Sequence, residues 1–408
     1  MTEAVSLTAE QVFAPENRVD PHPLYHRLRS ERPLFYGELW DEWILTRYAD
    51  CEAVLRDHRW STDPHHRRTR PDLQAQDVRA EFDAMGAKVL LFLDPPDHTR
   101  LRRLVSKAFT PRSVDQLRPH VRDLVDDLLD QAVEEAGAGR TFDLMPALAY
   151  PLPVVVICEL MGVPLEDRDE FQGWSSDASR LLDGDIDEDA AMRGLVAAMG
   201  LINYFNGLFE ERRRHPGDDL ISRLLAVEEQ GDRLTEQELR STVLLLFIAG
   251  HETTMNLIGN GMYALGRHPD ELRRLQADPG LVPSAVEEML RWDGPVHVTA
   301  RIATVDLDIA GQPMPAGCQV VCLLSAANRD PARFDDPDRL DVGRADNHHL
   351  TFSAGMHFCL GAALARMESQ VVFDALVRRF PDLALTAEPV EYRDHFVLRG
   401  LKALPLAF

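Results

Sequence analysis

Cysteine is scarce in this chain, which has only five among its 408 residues. None belongs to a C-x-x-C pair, so the sequence excludes a disulfide framework and the cysteine cluster of an iron–sulfur carrier. Scattered single thiols are typical of a reducing compartment, and we therefore predict a cytoplasmic protein. The five cysteines are Cys51, Cys158, Cys318, Cys322 and Cys359.

Basic residues and long apolar runs are also scarce. The chain has 44 Lys and Arg against 67 Asp and Glu, so its formal net charge is −23. Such an acidic chain does not favour nucleic acid or an anionic membrane surface as its main partner. The N-terminal residues lack the basic start and apolar stretch of a signal peptide, and no unbroken apolar run reaches the roughly 20 residues of a membrane span. We expect a soluble protein with no nucleic-acid and no membrane partner.

Helical and strand-like patterns occupy different parts of the chain. Apolar residues recur at helical spacing through most of residues 95–293, whereas strand-like segments lie at about 33–48 and 297–325. We expect the early strands to pair with the late ones, which prevents a division into two sequential domains. The prediction is a mainly α fold with smaller β-sheets (α+β), formed as a single domain over residues 1–408.

One long helix is predicted to cross the whole molecule. Thr235 and Glu238 form a capping box ahead of an apolar run, and nothing ends the helical pattern before Gly266 and Pro269. The helix is therefore about 30 residues and about 45 Å long. A helix of that length and composition must lie in the core.

Polar residues interrupt this helix at its centre, in the sequence Ala249-Gly250-His251-Glu252-Thr253. Glycine within a helix costs about 1 kcal/mol relative to alanine, and an unpaired buried carboxylate or hydroxyl costs more. Such a cost suggests a function. The alternative is that Glu252 reaches a polar face and Thr253 bonds back to a carbonyl one turn earlier. The helix alone leaves both interpretations open.

Cys359 lies where a glycine-rich loop enters another clear helix. The unpaired amides and the dipole at a helix N-terminus stabilise a thiolate, while Gly355 and Gly361 allow a tight loop and close approach by something flat. We interpret Cys359 as a thiolate metal ligand rather than a small buried apolar residue.

Zinc is a competing metal for this loop, because His348, His349 and His357 lie close to Cys359 in sequence. Structural zinc sites usually contain closely spaced cysteine pairs, which this segment lacks. We therefore favour a single thiolate ligand over a zinc centre.

Three cationic side chains are candidates for binding one anionic ligand. His98 and Arg102 are four residues apart on one helix face, and Arg301 lies on a predicted strand. A guanidinium group matches the geometry of a carboxylate. Each residue taken alone is also explained as surface charge.

Two further pairs are predicted on the helix around residues 284–292. Ser284 and Glu287 match the pattern of a second capping box, and Glu288 is three residues before Arg291. The Glu288–Arg291 ion pair would contribute only a few tenths of a kcal/mol on an exposed helix.

Taken together, these segments resemble the cytochrome P450 family, the haem-thiolate monooxygenases, in its soluble bacterial form. The resemblance extends over nearly the whole chain, and the motifs occur in the family's order. They are the haem-propionate helix at 94–102, the oxygen-activating segment at 249–254, the Glu-x-x-Arg pair Glu288 and Arg291, the stretch 326–337 and the cysteine loop at 352–361. The resemblance implies one P450-type fold with the long helix lying over a haem.

The resemblance also implies a cofactor, haem b, and a set of residues that bind it. Cys359 is implied as the proximal iron ligand, with Phe352 packing beside its sulfur. The loop glycines implied to lie at the cofactor are Gly355 and Gly361. The side chains implied to bind the haem propionates are His98, Arg102, Arg301 and His357.

On the oxygen side of the haem, the resemblance implies that Glu252 and Thr253 deliver protons to dioxygen. Ala249 and Gly250 are implied to leave room for oxygen over the porphyrin. Because the acid and the alcohol are both present, the chain does not match the peroxide-driven members of the family. Ser353 departs from the family pattern, which usually has glycine after the phenylalanine, and this puts the exact conformation of the loop in doubt.

The expected activity is that of a monooxygenase that hydroxylates an apolar organic substrate with dioxygen. A steroid, macrolide, terpenoid or fatty acid would all suit the largely apolar segments expected to line the pocket. Those segments are 85–93, 181–202, the long helix near Phe247 and 296–299, where His297 is the one polar oddity. A non-oxygenating haem-binding sensor or docking protein is the alternative.

Electrons are expected from a separate ferredoxin with its ferredoxin reductase, because the chain carries no flavin-binding segment. An acidic carrier needs a basic patch on an otherwise acidic protein. The candidates for that patch, on the cysteine side, are Arg103, Lys107, Arg112 and Arg366.

Overall fold

Helices dominate the structure, a computed structural model that describes residues 8, 11–12, 14–38, 41–68, 88–164, 167–182, 188–229, 231–395 and 397–408. The helices are α1 (His22–Glu31), α2 (Tyr48–Arg56), α3 (Asp97–Ala108), α4 (Pro111–Ala136), α5 (Pro151–Met161), α6 (Arg168–Ser179), α7 (Glu188–Arg214), α8 (Leu220–Ala226), α9 (Glu236–Arg267), α10 (Pro269–Ala277), α11 (Val282–Asp293), α12 (Leu324–Ala327) and α13 (Ala362–Arg379). A mainly α fold with small sheets, as the sequence predicts, is confirmed.

The strands are short and form several small sheets. They are β1 (Leu34–Gly37), β2 (Glu42–Leu45), β3 (Trp60–Ser61), β4 (Thr141–Asp143), β5 (Glu228–Glu229), β6 (Asp232–Arg233), β7 (Val298–Ala303), β8 (Leu307–Ile309), β9 (Gln312–Met314), β10 (Gln319–Leu323), β11 (Ala384–Leu385) and β12 (Pro405–Ala407). The main sheet has the order β1-β2-β10-β7-β3.

Strands from the two ends of the chain share this main sheet, as predicted. β10 runs parallel to β2 and antiparallel to β7, so Val321 has Ile44 on one side and Ala300 on the other. Val321 and Ile44 are both buried. Apolar side chains from distant segments therefore meet on one face, which fixes the register of the pairing.

The long helix α9 has the start that the sequence predicts. The Thr235 hydroxyl accepts from the Glu238 backbone N–H, and the Glu238 carboxylate accepts from the Thr235 N–H in return. The helix has the length and apolar composition that a membrane span requires, but 67% of its apolar window is buried within the protein. It packs against α5, α6, α7, α11 and α13, as the core helix of a soluble protein does.

Helix α11 begins differently from the prediction. Its N-cap is Leu281, which makes no side-chain capping bond, so the predicted Ser284–Glu287 capping box is wrong. The Ser284 hydroxyl donates instead to the carbonyls of Leu281 and Val342. Glu287 is therefore available for a partner elsewhere in the fold.

Candidate functional site

The loop before α13 holds Cys359 in place through its backbone. The Cys359 N–H donates to the Phe352 carbonyl at 2.9 Å. Gly355 has φ +68°, and a Cβ there would lie 2.4 Å from the Leu55 carbonyl oxygen, so this position requires glycine. At Gly361 a Cβ would meet the Cys359 sulfur at an ordinary 3.9 Å. The close approach at Gly355 is thus made by helix α2, while Gly361 keeps the space beside the sulfur open.

The Cys359 side chain is exposed, yet protein atoms surround it closely. Burial raises the pKa of the Cys359 thiol, and the backbone amides of Gly361 and Ala362 with the guanidinium groups of Arg102 and Arg366 oppose that rise. The donors beside the thiol favour a thiolate, as a metal ligand must be.

Arginine and histidine side chains from distant segments converge on the same loop. The rings of His98 and His357 are 4.2 Å apart between centroids. Arg102 on α3 donates to the Phe358 carbonyl at 2.5 Å, one residue before Cys359. These contacts bring together residues about 260 positions apart in sequence.

Arg301 reaches the loop from strand β7. Its Nη1 donates to Thr299 Oγ1 at 3.0 Å and to the Ala300 carbonyl at 2.7 Å. Its Nη2 lies 3.4 Å from the hydroxyl of Ser353, which has φ +61°. Ser353, which replaces the usual glycine, therefore fits the loop in a left-handed backbone conformation. Its hydroxyl contacts Arg301, one of the residues predicted to bind a haem propionate.

This cluster of guanidinium groups and neutral histidine donors fits an anionic ligand. Burial together with Arg301, His98 and Arg102 lowers the pKa of His357 to about 3, and burial with Arg102 lowers the pKa of His98. His98 Nε2 is buried without a hydrogen-bond partner among the described residues. A carboxylate accepts from such a donor and neutralises the neighbouring guanidinium groups. The residues present therefore suit a propionate-bearing group.

At the centre of α9, Ala249 is exposed and Thr253 is half-buried, although most of the helix is buried. The Thr253 hydroxyl donates to the Ala249 carbonyl at 3.0 Å, the bond one turn back that the sequence left open. These two residues share a helix face because they are four apart. That face is open, as a surface over a cofactor must be.

Gly250 has a packing role next to this face. A Cβ there would lie 3.0 Å from the Ile157 side chain on α5. The missing side chain lets α5 and α9 approach each other. Ala249 is the more exposed of the two residues, and the implied role of both in leaving room for oxygen stays a prediction.

Glu252 lies beside this open face, is buried and is only 3% exposed. Its Oε2 accepts from Arg393 at 3.3 Å, and its Oε1 is 3.9 Å from His251 Nε2. The His251 ring also contacts the Ser175 hydroxyl on α6. Sequence reasoning missed Arg393 and Ser175, since neither lies in a motif or near α9 in the chain.

The Glu288–Arg291 pair is a buried network and not the weak surface pair that an exposed helix would carry. Both side chains are fully buried, and Arg291 donates through Nε and Nη2 to the two Glu288 oxygens, at 2.8 Å each. Arg291 also donates to the carbonyls of Asn328 and Pro337. Arg344, which sequence reasoning missed, binds Glu288 as well, at 3.1 Å. The network ties α11 to the segment that precedes the cysteine loop.

The histidines near Cys359 have separate partners, which disfavours zinc. His348 is exposed beside Asp346, and His349 donates to Glu287 at 3.2 Å. Among the described residues no group of three or more His, Cys, Asp or Glu side chains is arranged to hold a metal ion. A single thiolate ligand remains the interpretation for Cys359.

The predicted basic patch differs from the expectation at one residue. Arg103, Lys107 and Arg112 are exposed on α3 and at the start of α4. Arg366 instead forms a two-point ion pair with Glu287 and lies 4.5 Å above the Phe352 ring. Arg366 therefore supports Phe352 at the cysteine loop. Its positive charge is already neutralised by Glu287.

The segments predicted to line a substrate pocket are partly described by the structure, and they contain both buried and exposed residues. Phe247 is fully buried against Phe171 and Phe205. Leu91 and Phe92 are more than one-third exposed. His297 is buried, and its backbone N–H donates to the Val397 carbonyl. Residues 85–87 and 183–187 of the predicted lining lie outside the described residues.

Comparisons with known proteins agree with this geometry. The family model described as Cytochrome P450 matches residues 67–279 and 280–401. The vitamin D(3) 25-hydroxylase of Pseudonocardia autotrophica is 44% identical, over 95% of this chain and 93% of that protein. The 6-deoxyerythronolide B hydroxylase of Saccharopolyspora erythraea is 41% identical, over 95% and 96%.

A solved structure is equally similar. The myxobacterial cytochrome P450 CYP267B1, in complex with myristic acid, has a TM-score of 0.86 at 40% identity and covers 98% of this chain and 99% of its own. Named hydroxylases among the relatives decide against a non-oxygenating sensor. This chain belongs to the cytochrome P450 family and is a haem-containing monooxygenase that acts on small molecules with dioxygen and a redox partner.

Proposed function

We propose that this protein hydroxylates an apolar organic substrate, with one oxygen atom of dioxygen entering the substrate and the other leaving as water. The observation that carries this proposal is the convergence of His98, Arg102 and Arg301 on the loop of Cys359. The chain acts as a single haem domain in the cytoplasm.

Haem b is the proposed cofactor, with Cys359 as its iron ligand. When bound, haem supplies the activation of dioxygen and the transfer of an oxygen atom. The chain has no C-x-x-C-H motif for covalent attachment, so the cofactor is held by the iron ligand and by contacts to its propionates. His98, Arg102, Arg301 and His357 provide those contacts, and Gly361 leaves space beside the sulfur.

Thr253 and Glu252 are the proposed residues for proton delivery to dioxygen. Thr253 Oγ1 holds a proton on the face of α9 where Ala249 is exposed, and it can turn from the Ala249 carbonyl to donate elsewhere. Glu252, buried one residue away, is the acid that restores that proton. Together they explain why a core helix tolerates a carboxylate and a hydroxyl at its centre.

The proposed electron donor is a ferredoxin, itself reduced by a ferredoxin reductase. Arg103 and Lys107 are exposed on α3, whose Arg102 touches the Cys359 loop, and Arg112 is exposed nearby in sequence. These residues give an acidic carrier a local basic surface near the haem ligand. The double variant Arg103→Glu/Lys107→Glu should slow reduction at low salt, and Lys402→Glu, an exposed site elsewhere, should not. Equal rates for both variants at all salt concentrations would contradict this docking site.

The substrate is proposed to be a medium to large apolar natural product, such as a steroid, macrolide, terpenoid or fatty acid. Exposed apolar side chains at Leu91 and Phe92 and the open face of α9 support an apolar pocket. The relatives' names include hydroxylases of vitamin D(3) and 6-deoxyerythronolide B, and one solved relative binds myristic acid. These three compounds form a first test panel.

The absorption spectrum of the protein, reduced with dithionite and exposed to carbon monoxide, tests the ligand assignment. We expect a strongly red-shifted Soret band that is lost in Cys359→Ser. A band at the position typical of histidine-ligated haem, or no haem bound at all, would overturn the assignment.

Product analysis with the panel tests the proton role. With ferredoxin, reductase and NADPH, Thr253→Ala should yield less hydroxylated product and more hydrogen peroxide than the wild type for each compound oxidised. Unchanged product and peroxide in Thr253→Ala would show that Thr253 has no role in proton delivery.

A further inference from the structure

Glu252 is a buried carboxylate that needs a countercharge. It is 3% exposed within the core helix α9, where an unpaired charge costs several kcal/mol. Among the described residues, two ionisable groups lie within 4 Å of its oxygens, namely His251 and Arg393. The arrangement of His251 decides which of them balances the charge.

His251 is neutral, and its ring nitrogen nearer to Glu252, Nε2, carries no hydrogen. Its Nδ1 contacts the Phe247 carbonyl at 2.8 Å, and because a carbonyl only accepts, Nδ1 carries the hydrogen. Burial lowers the pKa of His251, so Nε2 has no hydrogen and accepts from the Ser175 hydroxyl. His251 therefore supplies no positive charge, and Arg393 is the counterion of Glu252.

Arg393 is fixed by its own loop and reaches solvent. Its N–H donates to the Gly400 carbonyl at 2.8 Å, and its Nη2 lies 3.6 Å from the Met255 sulfur, one turn along α9 from Glu252. The side chain is 25% exposed and lines a surface pocket with Arg18, Tyr25 and other residues. One end of Arg393 thus contacts the buried acid, and the pocket beside it opens to water.

We propose that Arg393, 141 residues from Glu252 in sequence, is a positioning residue that holds the Glu252 carboxylate in place and links it to solvent through this pocket. The proposal rests on the proton role of Glu252 given under the proposed function. Arg393 does not touch the substrate or the reacting atoms. It acts by keeping the Glu252 oxygens oriented, so that protons from water reach the carboxyl group from this side.

Arg393→Met, Arg393→Lys and the control Lys402→Met test the proposal in the holoenzyme. Lys402 lies on the same segment and pairs with Glu391 at the surface, at 3.1 Å. With ferredoxin, reductase, NADPH and myristic acid, Arg393→Met should release about tenfold more peroxide per NADPH consumed, because even a displacement of about 1 Å of a catalytic group can cost up to about 100-fold in rate. Arg393→Lys should recover part of the loss, and Lys402→Met should behave as the wild type.

Thermal unfolding gives a second readout that does not depend on turnover. Arg393→Met should lower the unfolding temperature by leaving Glu252 unpaired, and adding Glu252→Gln should restore it by removing the buried charge. A double variant no more stable than Arg393→Met would overturn the ion pair. Equal haem content in all variants, from the carbon monoxide spectrum, shows that the loop of Cys359 is intact.

The outcomes separate this inference from the proposed function. If Glu252→Gln raises peroxide release and Arg393→Met does not, Glu252 has its role and Arg393 is not its positioning residue. If Glu252→Gln leaves peroxide release unchanged, the proton role of Glu252 fails and the positioning role with it. Parallel defects in Glu252→Gln and Arg393→Met, with partial rescue by lysine, support both.

Discussion

Glu287 and Arg366 form a two-point ion pair that joins α11 to α13 beside the cysteine loop, with Arg366 Nε 2.6 Å from Oε1 and Nη2 2.8 Å from Oε2. The Arg366 guanidinium also lies over the Phe352 ring. The pair therefore holds in place the aromatic residue that packs at the loop of the proposed iron ligand. The contribution of this ion pair to the free energy of unfolding can be measured from its dependence on pH.

Burial alone would raise the pKa of Glu287, but the hydrogen bonds from Arg366 and His349 outweigh it and lower the pKa to about 2 from the ordinary 4.5. A depressed pKa of this kind contributes stability above about pH 4.5 that is lost as the pH falls toward 2. We expect Glu287→Gln to lose about 2 to 3 kcal/mol of unfolding free energy at pH 7. Urea unfolding should show this difference shrinking below about pH 4.5, whereas the surface variant Glu391→Gln should show almost none. A difference that is constant with pH would contradict the ion pair.

Glu368 on α13 shows the opposite shift. It is fully buried, neither oxygen has a hydrogen-bond partner among the described residues, and burial raises its pKa to about 8. Between about pH 4.5 and 8 the unfolded chain binds fewer protons at this site than the folded one, so stability falls as the pH rises. Glu368→Gln should match the wild type at pH 5 and exceed it by about 3 kcal/mol at pH 9. The exposed Glu134→Gln on α4 is the control, and a wild-type advantage at pH 9 would show that Glu368 has an ionic partner.

Ser353 adopts φ +61°, a conformation that costs less for glycine than for other residues. Ser353→Ala keeps this strain and loses the hydroxyl contact to Arg301, whereas Ser353→Gly loses both. We expect Ser353→Gly to be about 0.5 to 1 kcal/mol more stable than Ser353→Ala in urea unfolding. If the alanine variant proves equally stable, the loop relaxes out of the left-handed conformation once the hydroxyl is gone.

Gly355 and Gly361 provide a matched pair within the cysteine loop. A Cβ at Gly355 would clash with the Leu55 carbonyl at 2.4 Å in a positive-φ conformation, whereas at Gly361 the added atom would lie 3.9 Å from the Cys359 sulfur. Gly355→Ala should therefore lower the unfolding free energy by about 2 kcal/mol or more and reduce haem retention. Gly361→Ala should unfold within about 1 kcal/mol of the wild type. A larger loss of stability for Gly361→Ala would mean that the loop approaches α13 more closely than this geometry indicates.

Local patterns in the sequence were sufficient for the features that depend on neighbours in the chain. The capping box of Thr235 and Glu238 and the entry of the Cys359 loop into a helix follow from a few consecutive residues, and both are confirmed. The Ser284–Glu287 box matched the same pattern and was wrong. Glu287 has partners on α13 and at His349, and these tertiary hydrogen bonds outcompete a local cap.

The sequence by itself determined the helical class, the shared sheet and the long core helix, because periodicity and capping act over a few residues. The site residues stay predictions from short motifs and from the family resemblance. Only the tertiary structure decided that Glu287 neutralises Arg366 and that Arg393 pairs with Glu252. It also decided that Phe247 packs among aromatic rings. Ion pairs and packing form between whichever side chains the fold brings within a few ångströms. A pair 141 residues apart leaves no trace in the local pattern of either partner.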